Sequence, residues 1–362
     1  MKSVMQPAKI SGWILAGCVG LASCQEPAQT ADTRSDVNPR ADLLEIYGRP
    51  DTIPYPEDNP FTEAKRQLGK QLFYDPRLSG QNNISCSSCH IPGMAYEDGQ
   101  PTTVGTPMMR LDRNTPTVQN LAWTPDLFWD GRADSLEQQA LMPITSDIEM
   151  AADEDELVAE LSLIPGYVEA FESIFPDEGL TALTIAKALA TYERTLVTSD
   201  APFDLWLEGD DDAISEEAKQ GFEIFTGKGN CTNCHTGWNF TDGQFHDIGL
   251  PTDDPGRYNV TGDPKDLHAF KTPGLRNIEA RIPYMHDGSV SRMIDVINHY
   301  LEGGFEERPS LSPQMESIEL TGDEKFALFQ FLKSLSSDDE PVTFPKLPVG
   351  VPANTGNARN EG

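Results

Sequence analysis

The sequence predicts a mainly α-helical protein of two tandem domains joined by long loops. Apolar residues recur at helical spacing in segment after segment, alternating strand patterns are scarce, and one cysteine–histidine pentapeptide occurs twice. A length of 362 residues suits two ordinary domains, and a hydrophobic fraction of 38% supplies their cores.

The N-terminus reads as a processing segment. Lys2 and Lys9 flank the start of an apolar run, Ile10 to Ala22, that is too short to span a bilayer as a stable helix. It ends in Leu21-Ala22-Ser23-Cys24, which resembles a bacterial lipoprotein signal over residues 1–23 with Cys24 as the acylated residue. An ordinary secretory signal cut nearby is the plainer alternative; both export the protein to the periplasm, with contact to the membrane by a lipid anchor only. Residues 24–41, rich in Ala, Thr, Asp, Pro and Arg without apolar period, read as a disordered tether.

Helices follow in order. Ala64, Leu68 and Leu72 share a face after Thr62. Leu157, Leu161 and Ile164 follow an acidic first turn, Asp153 to Glu156, suited to the positive end of a helix dipole. Ile185, Leu189 and Tyr192 mark another helix, and Ser215 can cap one carrying Ala218, Phe222 and Phe225. Met293, Val296, Ile297 and Tyr300 line one more, and Thr321 with Glu324 forms a capping box before Leu328 and Leu332. The polar, acidic stretch from Ser199 to Asp212 marks the boundary between domains 42–200 and 201–340. A Pro-, Gly- and Asn-rich tail, 341–362, reads as loose.

Of the six cysteines, Cys18 lies in the signal and Cys24 is the lipid site. The remainder would suggest two disulfides in an oxidising compartment, but their spacing argues otherwise. Cys86-Ser87-Ser88-Cys89-His90 and Cys231-Thr232-Asn233-Cys234-His235 are both C-x-x-C-H. Two thiols one short turn apart add to the vinyl groups of one haem, and the next residue presents an imidazole to its iron. A zinc site would recruit a further ligand pair near each motif. The chain therefore carries two covalently bound haems c, on His90 and His235. Leu72-Phe73 and Ile224-Phe225 precede the two motifs alike, so each domain reads as cytochrome c-like, with its long loops enclosing one haem.

A net charge of −31, from 58 acidic and 27 basic residues, excludes nucleic acid as a partner. It suits docking of a basic electron donor, or serves solubility alone.

The ordered blocks resemble the bacterial di-haem cytochrome c peroxidases and their MauG-type relatives. They are Leu68-Gly69-Lys70, Phe73 to Ser79, Arg113 to Thr117, Phe128-Trp129-Asp130-Gly131-Arg132, Leu136 to Ala140, Glu149-Met150, Pro273 to Asn277 and Pro283 to Gly288. The resemblance implies that the His90 haem binds hydrogen peroxide and the His235 haem receives electrons. It implies that Trp129 lies between the haems, that Glu149 stands over the peroxide iron, and that Gln139 and Phe128 complete that pocket. It further implies a calcium ion held by the Asn114 side chain and the carbonyls of Arg281 and Pro283. Independently, splitting an O–O bond needs a group to take one oxygen's proton and return it to the other, which a carboxylate such as Glu149 can do. Glu149 as a solvated acid and Trp129 as core packing are the plainer alternatives, and His246, His268, His286 and His299 read as structural or surface residues.

Two departures from the typical peroxidase bear on subtype. Thr106 stands where a histidine closes the peroxide iron at rest, and Tyr300 stands where a methionine ligates the second haem. A phenolate is a hard anionic donor that lowers the potential relative to methionine; Met285 or Met293 is the alternative ligand. Both departures lean towards MauG and the related MbnH enzymes. The expected function is a di-haem c-type peroxidase reducing hydrogen peroxide with electrons from a small c-type cytochrome or cupredoxin, or from a protein substrate. The alternatives are a MauG- or MbnH-like enzyme that oxidises residues of a partner protein, and a non-catalytic di-haem electron carrier.

Overall fold

The computed structural model describes residues 38–106 and 108–350. The signal, Cys24, most of the tether, Pro107 and residues 351–362 lie outside the described residues.

The described chain is mostly helical: α1 Ala41–Tyr47, α2 Glu63–Phe73, α3 Cys86–Cys89, α4 Leu136–Thr145, α5 Glu154–Ser162, α6 Pro165–Ile174, α7 Ala182–Arg194, α8 Pro202–Glu208, α9 Glu216–Thr226, α10 Tyr258–Thr261, α11 Met293–Leu301 and α12 Gly322–Ser334. Its one sheet among the described residues is a two-stranded antiparallel ribbon, Phe245–His246 paired with Phe270–Lys271. The helix starts follow the caps read from sequence. The side chains of Thr62, Asp153, Ser215 and Thr321 each accept a bond from a first-turn amide, which satisfies a donor that has no partner within the helix.

Two cores result. The first gathers Leu68, Leu72, Phe73, Leu157, Leu161, Tyr167, Phe171, Ile185 and Leu189 from α2, α5, α6 and α7. The second gathers Phe203, Phe222, Phe225, Phe240, Ile297, Leu328 and Phe331 from α8, α9, α11 and α12 with a connecting loop. Both rest on the same close helix crossing. A Cβ on Gly69 of α2 would stand 1.9 Å from the Ala188 carbonyl oxygen of α7, and one on Gly221 of α9 would stand 2.0 Å from that of Ala327 in α12. Only glycine lets these backbones touch. Each crossing packs the helix leading into a C-x-x-C-H motif against a later helix of its own domain, as tandem cytochrome c-like domains require.

The first and last described segments are exchanged between the cores. α1, placed by sequence with the first domain, packs on the second, where Tyr47 stacks on Phe240 at 5.4 Å. Residues 342–350, read as part of a loose tail, lie against the first domain. Phe344 meets Tyr74 edge-on at 5.2 Å, and Arg77 donates to the carbonyls of Pro348 and Gly350 at 3.1 and 2.8 Å. Composition marked the segment as unable to build a core, but a strap needs only a few side chains and a donor for its carbonyls. The halves are also joined by a buried ion pair, Arg281 Nε to Glu97 Oε1 at 2.7 Å.

Candidate active site

The first C-x-x-C-H motif lines a cavity of about 810 Å³ between α3, α4, α7 and the loops following residues 103, 112, 127 and 147. Cys86, Cys89 and His90 form one wall. His90 Nδ1–H donates to the Tyr96 carbonyl at 3.0 Å, which turns Nε2 away from the backbone and fixes the ring. Burial lowers the pKa of His90, so it stands as neutral imidazole, the form a metal takes.

Glu149, Gln139, Phe128 and Trp129 all line this cavity, so the structure brings the four predicted residues together. Glu149 follows α4 in a loop whose backbone is tied down at both faces: its amide donates to Ser146 and its carbonyl accepts from Thr106 at 2.6 Å. Burial raises its pKa and the Arg132 guanidinium opposes the rise. Gln139, on α4, leaves a buried Oε1 without a hydrogen-bond donor. Phe128 lies under Arg132, whose guanidinium carbon is 3.6 Å from the ring centre, a cation–π contact that fixes both side chains. Thr106 is 2% exposed, donates from its hydroxyl to Asn83 at 3.3 Å and is not part of the cavity wall.

The second motif lines a narrower space of about 90 Å³. His235 Nδ1–H donates to the Phe240 carbonyl at 2.9 Å, repeating the first arrangement. Tyr300, in the last turn of α11, and Met285 both face this space, whereas Met293 packs into the second core. Burial raises the pKa of Tyr300, and the nearby Cys234 and Cys231 thiols add to the rise. Asp242 accepts from His246 at 2.8 Å and is the main reason its pKa is raised to about 10. Cys234, Asp242 and His246 bring ligand atoms within 4.8 Å of one another, one protein ligand short of a closed zinc site.

Trp129 lines both cavities. Its indole Nε1–H donates to the Asn114 carbonyl at 2.9 Å, and its own carbonyl accepts from Lys271, so the ring is held from two sides. His286 also lines both, 4% exposed and stacked on Phe270 at 3.6 Å, and burial lowers its pKa to about 4. His299 is fully buried and donates to the Ile248 carbonyl. Asn114 and Arg281 line the first cavity, and Asn114 Nδ2 is spent on the Gln100 carbonyl, so only Oδ1 is left to meet an ion. Sequence reading missed Arg132, Lys271 and Glu193. Arg132 stood within one of the blocks of resemblance, Lys271 gave no signal, and Glu193 is one of three charged residues in a helix buried from Thr184 to Arg194.

The donor sets fit c-type haem. All four thiols are free, each pair precedes a neutral imidazole held by a carbonyl, and the first cavity has the size of a cofactor site. At the second motif the fit rests on the thiol and imidazole set and on Tyr300.

Residues 63–212 match the family model of di-haem cytochrome c peroxidase. The chain is 41% identical to the methylamine utilization protein MauG of Methylorubrum extorquens, over 96% of this chain and all of that one. It is 44% identical to the MauG of Methylophilus methylotrophus over 84% of this chain and 92% of that one. Among solved structures, a MauG-like protein associated with microbial copper homeostasis matches with a TM-score of 0.75 and 34% identity, over 80% of this chain and 95% of that one. The chain belongs to the di-haem cytochrome c peroxidase and MauG family. It is an oxidoreductase with two haems c, and the two cores are its two cytochrome c-like domains.

Proposed function

We propose that this protein is a MauG-type enzyme, exported to the periplasm and lipid-anchored through Cys24, that uses hydrogen peroxide to oxidise residues of a partner protein. The single observation that carries the subtype is Tyr300 facing the second cavity with His235. When bound, the haems supply the iron at which peroxide is cleaved and a store for its two oxidising equivalents.

The chain's own groups do the rest. Glu149, in the wall of the first cavity, takes the proton of one peroxide oxygen and returns it to the departing one. Its raised pKa brings it nearer the working pH, where such transfers are fastest. Gln139 Oε1 accepts a hydrogen bond from the peroxide and orients it. Thr106, its hydroxyl committed to Asn83 and outside the cavity wall, would not ligate an iron held by His90. Trp129 couples the two cavities. Asn114 Oδ1 with the carbonyls of Arg281 and Pro283 would hold a calcium ion beside Trp129, a hard oxygen set suited to that cation. A non-catalytic carrier would close both irons; Glu149 and Gln139 in the wall of the first cavity favour catalysis over it. A small c-type cytochrome or cupredoxin as reductant is a second reading, favoured by the net charge of −31.

The test is to add peroxide to the fully oxidised protein. This reading expects immediate reaction with no prior reduction; activity that appears only after reduction would assign the protein to the typical peroxidases.

A further inference from the structure

Glu193 is the unexplained group of the first cavity. It lies in the last turn of α7, where every residue from Thr184 to Arg194 is buried. Its neighbours are committed: Tyr192 packs edge-on against Phe73, and Arg194 grips Glu137 with bonds of 2.6 and 2.9 Å. Glu193 instead joins Gln139, Ala140 and Leu189 in the cavity wall. It is 5% exposed, and its Oε2 is shielded from solvent with no hydrogen-bond partner. An unpaired buried carboxylate is among the costliest groups a fold can carry; the carboxylic acid costs far less and keeps one O–H to donate.

We propose that Glu193 is a second acid of the first cavity, held there as a neutral carboxyl that stores and delivers a proton for peroxide reduction. The proposal rests on the reading of this cavity as the peroxide site. Converting one hydrogen peroxide to two waters consumes two electrons and two protons. The electrons come from the oxidised partner by way of the haems. Glu149 only moves the peroxide's own proton between its oxygens, so it adds none. Glu193 breaks its O–H bond, passes one proton to the oxygen that stays behind when this first water departs, becomes a carboxylate and is reprotonated from solvent; with the second proton that oxygen leaves as the second water. The second proton comes from solvent directly.

The surroundings agree. Burial pushes the pKa of Glu193 up to about 8; Arg194 on its own helix opposes this and Glu137 on α4 adds to it. From α3 the facing group is Cys86, which carries no titratable proton once bonded to haem. α5 turns Leu157 and Leu161 inward, the turn Leu121–Trp123 brings no titratable group, and Lys65 of α2 is tied to Asn59 and the Pro60 carbonyl. A raised carboxyl pKa favours the folded state below the unfolded value, and that advantage is lost as pH rises towards about 8.

The experiment compares wild type, Glu193→Gln and Glu193→Asp as loaded di-haem proteins. Infrared spectra should show a protonated-carboxyl band in wild type that shifts in heavy water, disappears near pH 8 and is missing from Glu193→Gln. The wild-type peroxide rate should fall about tenfold between pH 7 and 9, as one acid of that pKa requires. The Gln variant should lose this step and the Asp variant should regain one. Melting temperature should fall between the ordinary carboxyl value of 4.5 and about pH 8 in wild type, and fall less over that range in Glu193→Gln. A band, rate step and melting profile identical in wild type and Glu193→Gln would overturn the proposal. If the Gln variant fails to load haem, the wild-type infrared titration decides, and absence of a band titrating near pH 8 overturns it. A titrating band in a protein that does not react with peroxide would refute the peroxide reading while leaving Glu193 a neutral acid.

Discussion

The two haem cavities share a ligand grammar and differ in everything around it. Both present a C-x-x-C-H motif after a glycine-crossed helix, with the imidazole held by a carbonyl five or six residues on. The first is wide, about 810 Å³, and its wall holds polar atoms without partners on Gln139 and Glu193. The second is narrow, about 90 Å³, and Tyr300, Met285 and the stacked pair His286 and Phe270 close around it. Unsatisfied polar atoms cost stability, so a cavity that keeps them is shaped for a reacting ligand. The second offers Tyr300 and Met285 beside its motif, side chains that can ligate a haem iron. On the proposed function, the same fold would yield a chemical site and a storage site by changing what faces each C-x-x-C-H motif.

The difference can be broken at each side and at the join. Glu149→Gln acts on the first cavity alone: both haems should remain, while the single-turnover rate with peroxide drops about 10²- to 10⁴-fold. An unchanged rate would move the proton transfer to another group. Glu97→Ala acts on the join. It leaves Arg281, itself 6% exposed, as an uncompensated buried charge, and should cost about 3–5 kcal/mol in denaturant unfolding. A loss near zero would mean that the halves are not coupled through this pair. Trp129→Phe removes the indole that borders both cavities together with its bond to Asn114, at about 1 kcal/mol of stability. The protein should stay folded while peroxide oxidises the second haem markedly more slowly; equal oxidation of both haems at the original rate would assign Trp129 to packing alone. Arg77→Lys should be the mildest, about 1 kcal/mol: the ammonium keeps a positive charge beside buried Asp75 while the fork to the carbonyls of Pro348 and Gly350 is lost. Increased hydrogen exchange confined to residues 342–350 is the measurement that checks it.

Much of this was legible in the sequence because the decisive signals are local. The caps at Thr62, Ser215 and Thr321 and the apolar faces behind them specify helices within a few residues, and haem attachment needs a pentapeptide. The convergence of Glu149, Gln139, Phe128 and Trp129 was legible only by resemblance, since nothing in their spacing brings α4 against the loops around it. What stayed hidden is long-range. Tyr47 crosses to an aromatic cluster more than 150 residues away, formed with Phe203, Phe222 and Phe240. The strap at 342–350 depends on Arg77, whose role as donor to distant carbonyls has no periodic signature. Glu193 stayed hidden as well, since α7 also carries Lys187 and Arg194 and only the cavity sets Glu193 apart from them.

The central claim is that the first iron is open at rest and the second is closed by Tyr300. Electron paramagnetic resonance of the fully oxidised protein tests it directly. The account predicts one high-spin signal from the His90 haem and one low-spin signal from the His235 haem, with Tyr300→Phe altering only the latter. Two low-spin signals at rest, or a low-spin signal indifferent to Tyr300→Phe, would contradict it.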